Sequence, residues 1–202
     1  MSPVKPFLKQ NAGTVLLISI LFASLALNVY QGLTLAGAFV PVSGIRAGAK
    51  FPISLPVLDA AGQPAVLNFA EDSRPTVVYV LSPLCGWCKR NEANIKALMA
   101  DAGSRFRFIG LSVEGKNLKE YVADNRAPFP VYLVSSPEQI KSLHLDATPQ
   151  TVVVGASGTV EKAWQGAYLE SNRKEIEKYF DVKLPGLQET AAVPNANSKA
   201  AN

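Results

Sequence analysis

The stretch Thr76-Val-Val-Tyr-Val-Leu-Ser-Pro-Leu-Cys85-Gly-Trp-Cys88-Lys-Arg-Asn restricts the chain more than any other. Thr76 to Leu81 is β-branched or apolar, the composition of a strand covered on both faces, and Pro83 closes it. From Cys88 onward, Lys89 to Met99 is mostly helix-compatible, with Ile95, Leu98 and Met99 on one face. Cys85 is therefore predicted where a helix begins. Unpaired backbone N–H groups and the positive end of the helix dipole there favour thiolate over thiol, lowering its pKa below the free value of about 8.5. Cys88 lies one turn deeper, close enough for the two sulfurs to meet, so a mixed disulfide formed at Cys85 can be resolved by Cys88. A purely structural disulfide is the competing use of the pair, but so short a loop braces little by loop-closure entropy. A zinc site normally needs four ligands, and the chain has two cysteines and one histidine, His144.

A chain of 202 residues, 48% hydrophobic, has material for one globular domain and an apolar segment, and a second domain is not supported. Its formal charge of +4 is carried by basic residues scattered among acids, with no Lys/Arg run interleaved with aromatics, which argues against nucleic-acid binding. After Lys5 and Lys9 no charged residue appears until Arg46, and Val15 to Leu27 is almost wholly apolar, a membrane-targeting pattern. Two forms compete. One is an uncleaved signal-anchor helix over residues 12–33, between a cytoplasmic stretch 1–11 and a linker 34–47; the other is a signal peptide cleaved near Ala36-Gly37-Ala38. The length rule for spans favours the anchor, and in both forms the basic N-terminus stays cytoplasmic while the remainder is exported.

Phe51 to Leu58 and Val66 to Phe69, around Asp59-Ala-Ala-Gly62, predict two strands and a turn. Further on come a strand at Phe106 to Val113, a helix at Leu118 to Asn125, a strand at Phe129 to Val134 and a helix at Pro137 to Leu143. Gln150 to Val154 and Thr159 to Gln165 make a hairpin, and Ser171 to Phe180 a last helix with Ser171 as its N-cap. Gln188 to Asn202 is small and polar and is read as disordered within a tail 184–202.

The strand-CxxC-helix unit, Thr148-Pro149 ahead of the Gln150 strand, and the single N-terminal apolar segment together resemble membrane-anchored, TlpA/ResA-type thiol-disulfide oxidoreductases of the thioredoxin-like superfamily. The likeness covers about residues 48–183, and the approach Ser82-Pro83-Leu84-Cys85 is also similar to MauD-type proteins. The resemblance implies an α/β thioredoxin-like fold: a central mixed sheet flanked by helices, with one inserted helix-strand unit and an N-terminal hairpin. It implies that Cys85 attacks and Cys88 resolves, that Pro149 is a cis-proline facing them, and that the backbone at Thr148 pairs with a partner's chain. Trp87 would shield the disulfide and offer clients an apolar contact. Glu114 is either a proton acceptor for Cys88 or a loop carboxylate, since here it precedes Gly115 where the family has glycine first. Tyr79 stands six residues before Cys85, where thioredoxin has a buried aspartate, so proton handling falls to water, the Tyr79 hydroxyl or Glu114. Lys89 and Arg90 read as a solvated helix face, and His144 as a loop or helix-end residue.

The implied cofactor is the Cys85–Cys88 disulfide itself, with no metal. The implied partners are client proteins with disulfides, apocytochrome c among them, and a transmembrane thiol electron donor. The implied location is the bacterial inner membrane, single-pass, with the catalytic domain on the periplasmic side. Two functions stay open on the residues: an exported reductase, and a non-enzymatic thioredoxin-fold binding module with a static disulfide. A peroxidase wants Pro-x-x-x-Thr/Ser-x-x-Cys, which Ser82-Pro83-Leu84-Cys85 does not supply.

Overall fold

The computed structural model describes residues 7–35, 44–124 and 126–187. The readings placed on Ala36 to Ala38 and on the chain from Gln188 fall outside them. The chain divides into two units, Met1–Val42 and Ser43–Asn202.

In the first unit, α1 (Phe7–Leu35) contains the 21-residue stretch Gly13–Leu33, long and apolar enough to cross a membrane. None of these 21 residues is buried within the protein. The polar side chains on it are satisfied locally: Ser19 Oγ donates to the Val15 carbonyl and Asn28 Nδ2 to the Ser24 carbonyl, both at 2.9 Å. Such back-bonding is what a helix needs where no water can serve its polar groups.

The second unit is built on a seven-stranded sheet. Its strands are β1 (Ser54–Asp59), β2 (Pro64–Asn68), β3 (Thr76–Leu81), β4 (Arg107–Ser112), β5 (Val131–Leu133), β6 (Gln150–Val154) and β7 (Val160–Gln165). They lie in the order β2-β1-β5-β4-β3-β6-β7, with β3, β4 and β5 parallel and the outer pairings antiparallel. The helices are α2 (Gly86–Arg90), α3 (Glu92–Ala102), α4 (Leu118–Ala123), α5 (Pro137–Ser142) and α6 (Glu170–Phe180). This is the expected mixed sheet flanked by helices, with the β1–β2 hairpin ahead of the CxxC and α4–β5 inserted in the middle. At the hairpin turn Asp59 Oδ1 accepts the Ala61 and Gln63 N–H groups, each at 2.8 Å, and Gly62 adopts the left-handed φ of +83° that its lack of Cβ permits.

β3 explains its own composition. All six of its residues are buried, and alternation sends them to two cores: Val77, Tyr79 and Leu81 pack with Cys88, Ile95 and Leu98, while Val78 and Val80 pack with Leu55, Ile109 and Leu111. Leu98, on α3, is fully buried. Leu98→Ala is expected to cost about 2–5 kcal/mol, read as a lowered denaturant midpoint with the slope unchanged.

Among the boundaries that differ from the sequence reading, three have a visible physical cause. The helix after β3 is broken at Asn91, which closes α2 and opens α3, because its side chain is committed to tertiary hydrogen bonds described below. The last helix starts at Glu170 with Leu169, not Ser171, as N-cap; the Leu169 carbonyl accepts the Arg173 N–H at 2.7 Å from an extended backbone. Packing also runs past both ends of 48–183: Ile45 is buried, its N–H donating to Gln150 Oε1 at 3.0 Å, and Leu184 joins the core.

Candidate redox site

β3 ends at Leu81, and the chain turns at once. Ser82 Oγ accepts the Leu84 N–H at 3.2 Å and the Ser82 carbonyl accepts the Cys85 N–H at 3.0 Å, so the turn delivers Cys85 to the position capping α2. Its Sγ accepts the Cys88 N–H at 3.1 Å, the bond an N-cap side chain makes with the third residue of a helix. Cys85 is half-buried, Cys88 is 1% exposed, and both are free thiols. On the facing side the Thr148–Pro149 peptide is cis, the isomer that the resemblance implies. The Thr148 carbonyl oxygen is 3.6 Å from Cys85 Sγ, and the Pro149 carbonyl accepts the Gly166 N–H at 2.8 Å.

The two thiols are driven apart in acidity. Cys85 is pushed down to about 5, first by the hydrogen bond it receives from the Cys88 thiol; partial burial opposes this, and bonds from Thr148 and the Cys88 and Trp87 N–H groups add to it. Cys88 is pushed up, first because its proton serves Cys85 and then because burial penalises a second thiolate. The pair thus holds one proton at neutral pH, with the negative charge on the accessible sulfur. Alkylation of Cys85 by iodoacetamide is expected to show its midpoint near that low value, not near the roughly 8.5 of a free thiol. The linked stability has a definite sign. An unfolded Cys85 binds more protons than the folded one between the two values, so the reduced protein should gain stability relative to Cys85→Ser as pH rises through that window, and lose the gain as pH falls through the lower value.

Around the pair, Trp87 and Leu84 are 47% and 54% exposed, and the Arg90 guanidinium lies 4.5 Å from the Trp87 ring centroid, a cation–π contact that holds the indole at the rim. Lys89 is exposed. The structure brings Cys85, Cys88, Trp87, Thr148 and Pro149 together. The Glu114 carboxylate turns back to accept the Lys116 N–H at 2.9 Å, and neither thiol is among its hydrogen-bond partners. His144 is exposed, in a left-handed backbone conformation (φ 55°) just after α5, and contributes its carbonyl to Gln150 Nε2 at 3.0 Å. Among the described residues no group of three or more His, Cys, Asp or Glu is placed to hold a metal ion.

Asn91 and Asn94 are the site residues that sequence reasoning missed. Both are fully buried. Asn91 Oδ1 accepts the Asn94 amide at 3.0 Å and the Tyr168 N–H at 3.1 Å, while its Nδ2 donates to the Tyr79 hydroxyl at 3.3 Å. Asn94 Oδ1 accepts the Gly186 N–H at 2.9 Å. The available signal was two asparagines three apart on the face that also carries Ile95 and Leu98, where a helix gains nothing from asparagine by propensity.

No family model and no curated protein matches the chain. Solved structures do. StoA from Bacillus subtilis matches at 16% identity and TM-score 0.50, covering 63% of this chain and 98% of that one. The thioredoxin domain of a thiol-disulfide oxidoreductase from Bacteroides vulgatus matches at 15% identity and TM-score 0.53, covering 68% and 99%. The peroxidoxin BcpB from Mycobacterium tuberculosis matches at 13% identity and TM-score 0.51, covering 68% and 97%. At such identities the likeness speaks for the fold and leaves the chemistry to the residues. The chain has a thioredoxin-like α/β fold, with thiol-disulfide oxidoreductases among its structural neighbours.

Proposed function

We propose that the protein is a membrane-tethered thiol-disulfide oxidoreductase that reduces disulfides in exported client proteins through Cys85 and Cys88. The observation that carries this reading is the asymmetry of the pair: an accessible, acidic Cys85 over a buried, proton-holding Cys88. A static disulfide has no use for that difference. The Cys85 thiolate attacks one sulfur of a client disulfide, forming Cys85–S–S–client and releasing the other client sulfur as a thiolate. Cys88 then gives up its proton and attacks Cys85 Sγ; the Cys85–Cys88 bond forms, the bond to the client breaks, and the proton ends on the client thiol. Two electrons pass from the pair to the client, and the only cofactor is the disulfide left behind.

Exposed Leu84 and Trp87 give a client an apolar rim, and the Thr148 carbonyl beside Cys85 offers its extended chain a backbone partner. In this reading α1 holds the domain on the outer side of a bacterial inner membrane, where cytochrome c maturation is one candidate use. Trp87 brings no positive charge to the thiolate of the kind a histidine would, which weighs toward a reducing pair, whereas the lowering of Cys85 to about 5 stabilises the reduced form and weighs toward an oxidant; we take the first as the stronger. A reducing dithiol in an oxidising compartment needs a donor, so a transmembrane thiol protein belongs to the scheme.

The test is Cys88→Ser in full-length protein expressed in cells. Removing the resolving thiol leaves Cys85 free to attack, so clients are expected to accumulate as mixed disulfides that dithiothreitol releases, and the double variant Cys85→Ser/Cys88→Ser should trap none. Trapping by neither variant, with the wild-type pair permanently oxidised, would favour the binding module.

A further inference from the structure

We propose that the Tyr79 hydroxyl, held by Asn91, donates a hydrogen bond to the Cys88 sulfur as that sulfur becomes the resolving thiolate. The inference rests on the assignment of Cys85 and Cys88 as attacking and resolving thiols, and it adds the group that makes the second step possible in a closed apolar site.

The need for such a group is plain from burial. Cys88 is 1% exposed and belongs to the same buried core as Val77, Leu81, Ile95 and Leu98, so a thiolate there loses nearly all its hydration. Tyr79 projects into the same core from β3 and is itself 1% exposed. The orientation of its hydroxyl follows from Asn91. The Tyr168 backbone N–H can only donate, so the atom of Asn91 that meets it at 3.1 Å is Oδ1, and the amide nitrogen is thereby turned to Tyr79. The Asn94 amide on the same Oδ1 fixes this further, and Asn94 is anchored by Gly186. The Tyr79 oxygen therefore accepts from Asn91, and its own proton points elsewhere; among the described residues it has no acceptor in the dithiol form, Cys88 Sγ included, so the proposed bond forms only as Cys88 becomes a thiolate. Asn91 is also tied to Cys88 along the helix, its N–H donating to the Cys88 carbonyl at 3.1 Å, one turn on along the same face.

Besides Cys85, the titratable groups that interact electrostatically with Cys88 are Tyr79 on β3 and Tyr121 on α4; Glu92, paired with Arg126 at 3.5 Å, interacts with Tyr121. Burial pushes both phenols up, Tyr79 well above the ordinary range, so they remain proton donors and do not take the Cys88 proton. That proton goes to the departing client sulfur: Cys88–SH and Cys85–S–S–client become Cys85–S–S–Cys88 and client–SH. Of the two phenols, Tyr79 is the one oriented by a hydrogen bond; the Tyr121 hydroxyl has no such partner among the described residues.

Stopped-flow reaction of the reduced full-length protein in detergent with Ellman's reagent separates the two steps. Attack by Cys85 releases one equivalent of thionitrobenzoate, and resolution by Cys88 releases a second. In Tyr79→Phe the second phase, taken relative to the first, is expected to slow about 10-fold or more, the worth of a hydrogen bond to a charged group, with its pH midpoint moved upward. Asn91→Ala, which keeps the hydroxyl but removes its holder, is expected to slow the same phase. Tyr121→Phe is expected to leave both phases as in wild type. An unaltered second phase and midpoint in Tyr79→Phe would overturn the proposal, as would a larger slowing in Tyr121→Phe. Absence of the second equivalent from wild type would instead overturn the assignment of Cys88 as resolving thiol.

Discussion

Replacing Cys85 by serine reduces the rate of insulin reduction, with dithiothreitol as the electron source, to that of dithiothreitol alone, a loss of about 100-fold or more. The size follows from the chemistry of the step. A serine hydroxyl at the same cap position keeps an acceptor for the Cys88 N–H, so the local fold survives, but it cannot be ionised by hydrogen bonds that bring a thiol to about 5. Cys88 does not substitute for it: it is buried and its pKa is raised, so neither access nor charge lets it meet a client disulfide. The measurement is turbidimetric precipitation of the insulin B chain by wild type and variant at equal concentration. Equal rates would remove Cys85 from the chemistry.

Asn91→Ala unfolds the second unit far more easily, with an expected cost of about 3–5 kcal/mol against a total that for such domains is about 5–15 kcal/mol. Three buried polar groups lose their partner at once: the Tyr168 N–H, the Asn94 amide and the Tyr79 oxygen. None of these can turn to water, since Tyr79, Asn94 and Tyr168 are all essentially unexposed. Asn91→Asp keeps an acceptor for the Tyr168 and Asn94 donors but brings a buried carboxylate beside Tyr79, so it should destabilise less at low pH than at neutral pH. Denaturant unfolding of both variants, followed by far-ultraviolet circular dichroism, checks the magnitude; a loss below about 1 kcal/mol for Asn91→Ala would show that the network contributes little.

What could be read in the sequence and what could not divides along a physical line. β3 was legible because burial on both faces leaves a local record, six consecutive β-branched or apolar residues. The CxxC position was legible because a strand, a proline and a helix-compatible run leave few places for Cys85 to go. The break at Asn91 was not, because its cause is a hydrogen bond to Tyr168, 77 residues away, which no local periodicity encodes. The direction of the Glu114 side chain was not legible either. Its place just past β4 puts it at the right end of the sheet, yet the side chain's direction was settled by a nearer donor, the Lys116 N–H. The N-cap of α6 fell the same way: Ser171 had the right chemistry for a cap, but the backbone at Leu169 already supplied the carbonyl that closes the first turn.

The central claim, that Cys85 and Cys88 form a reversible and reducing dithiol, is tested most directly by equilibrating the full-length protein in detergent with dithiothreitol mixtures of graded potential and scoring the free thiols by alkylation. The account predicts a single two-electron transition between about −200 and −280 mV, within the span of thioredoxin-like pairs, that is absent from Cys85→Ser. A pair that does not interconvert, or one that titrates near the roughly −120 mV of a strong oxidant, would contradict it.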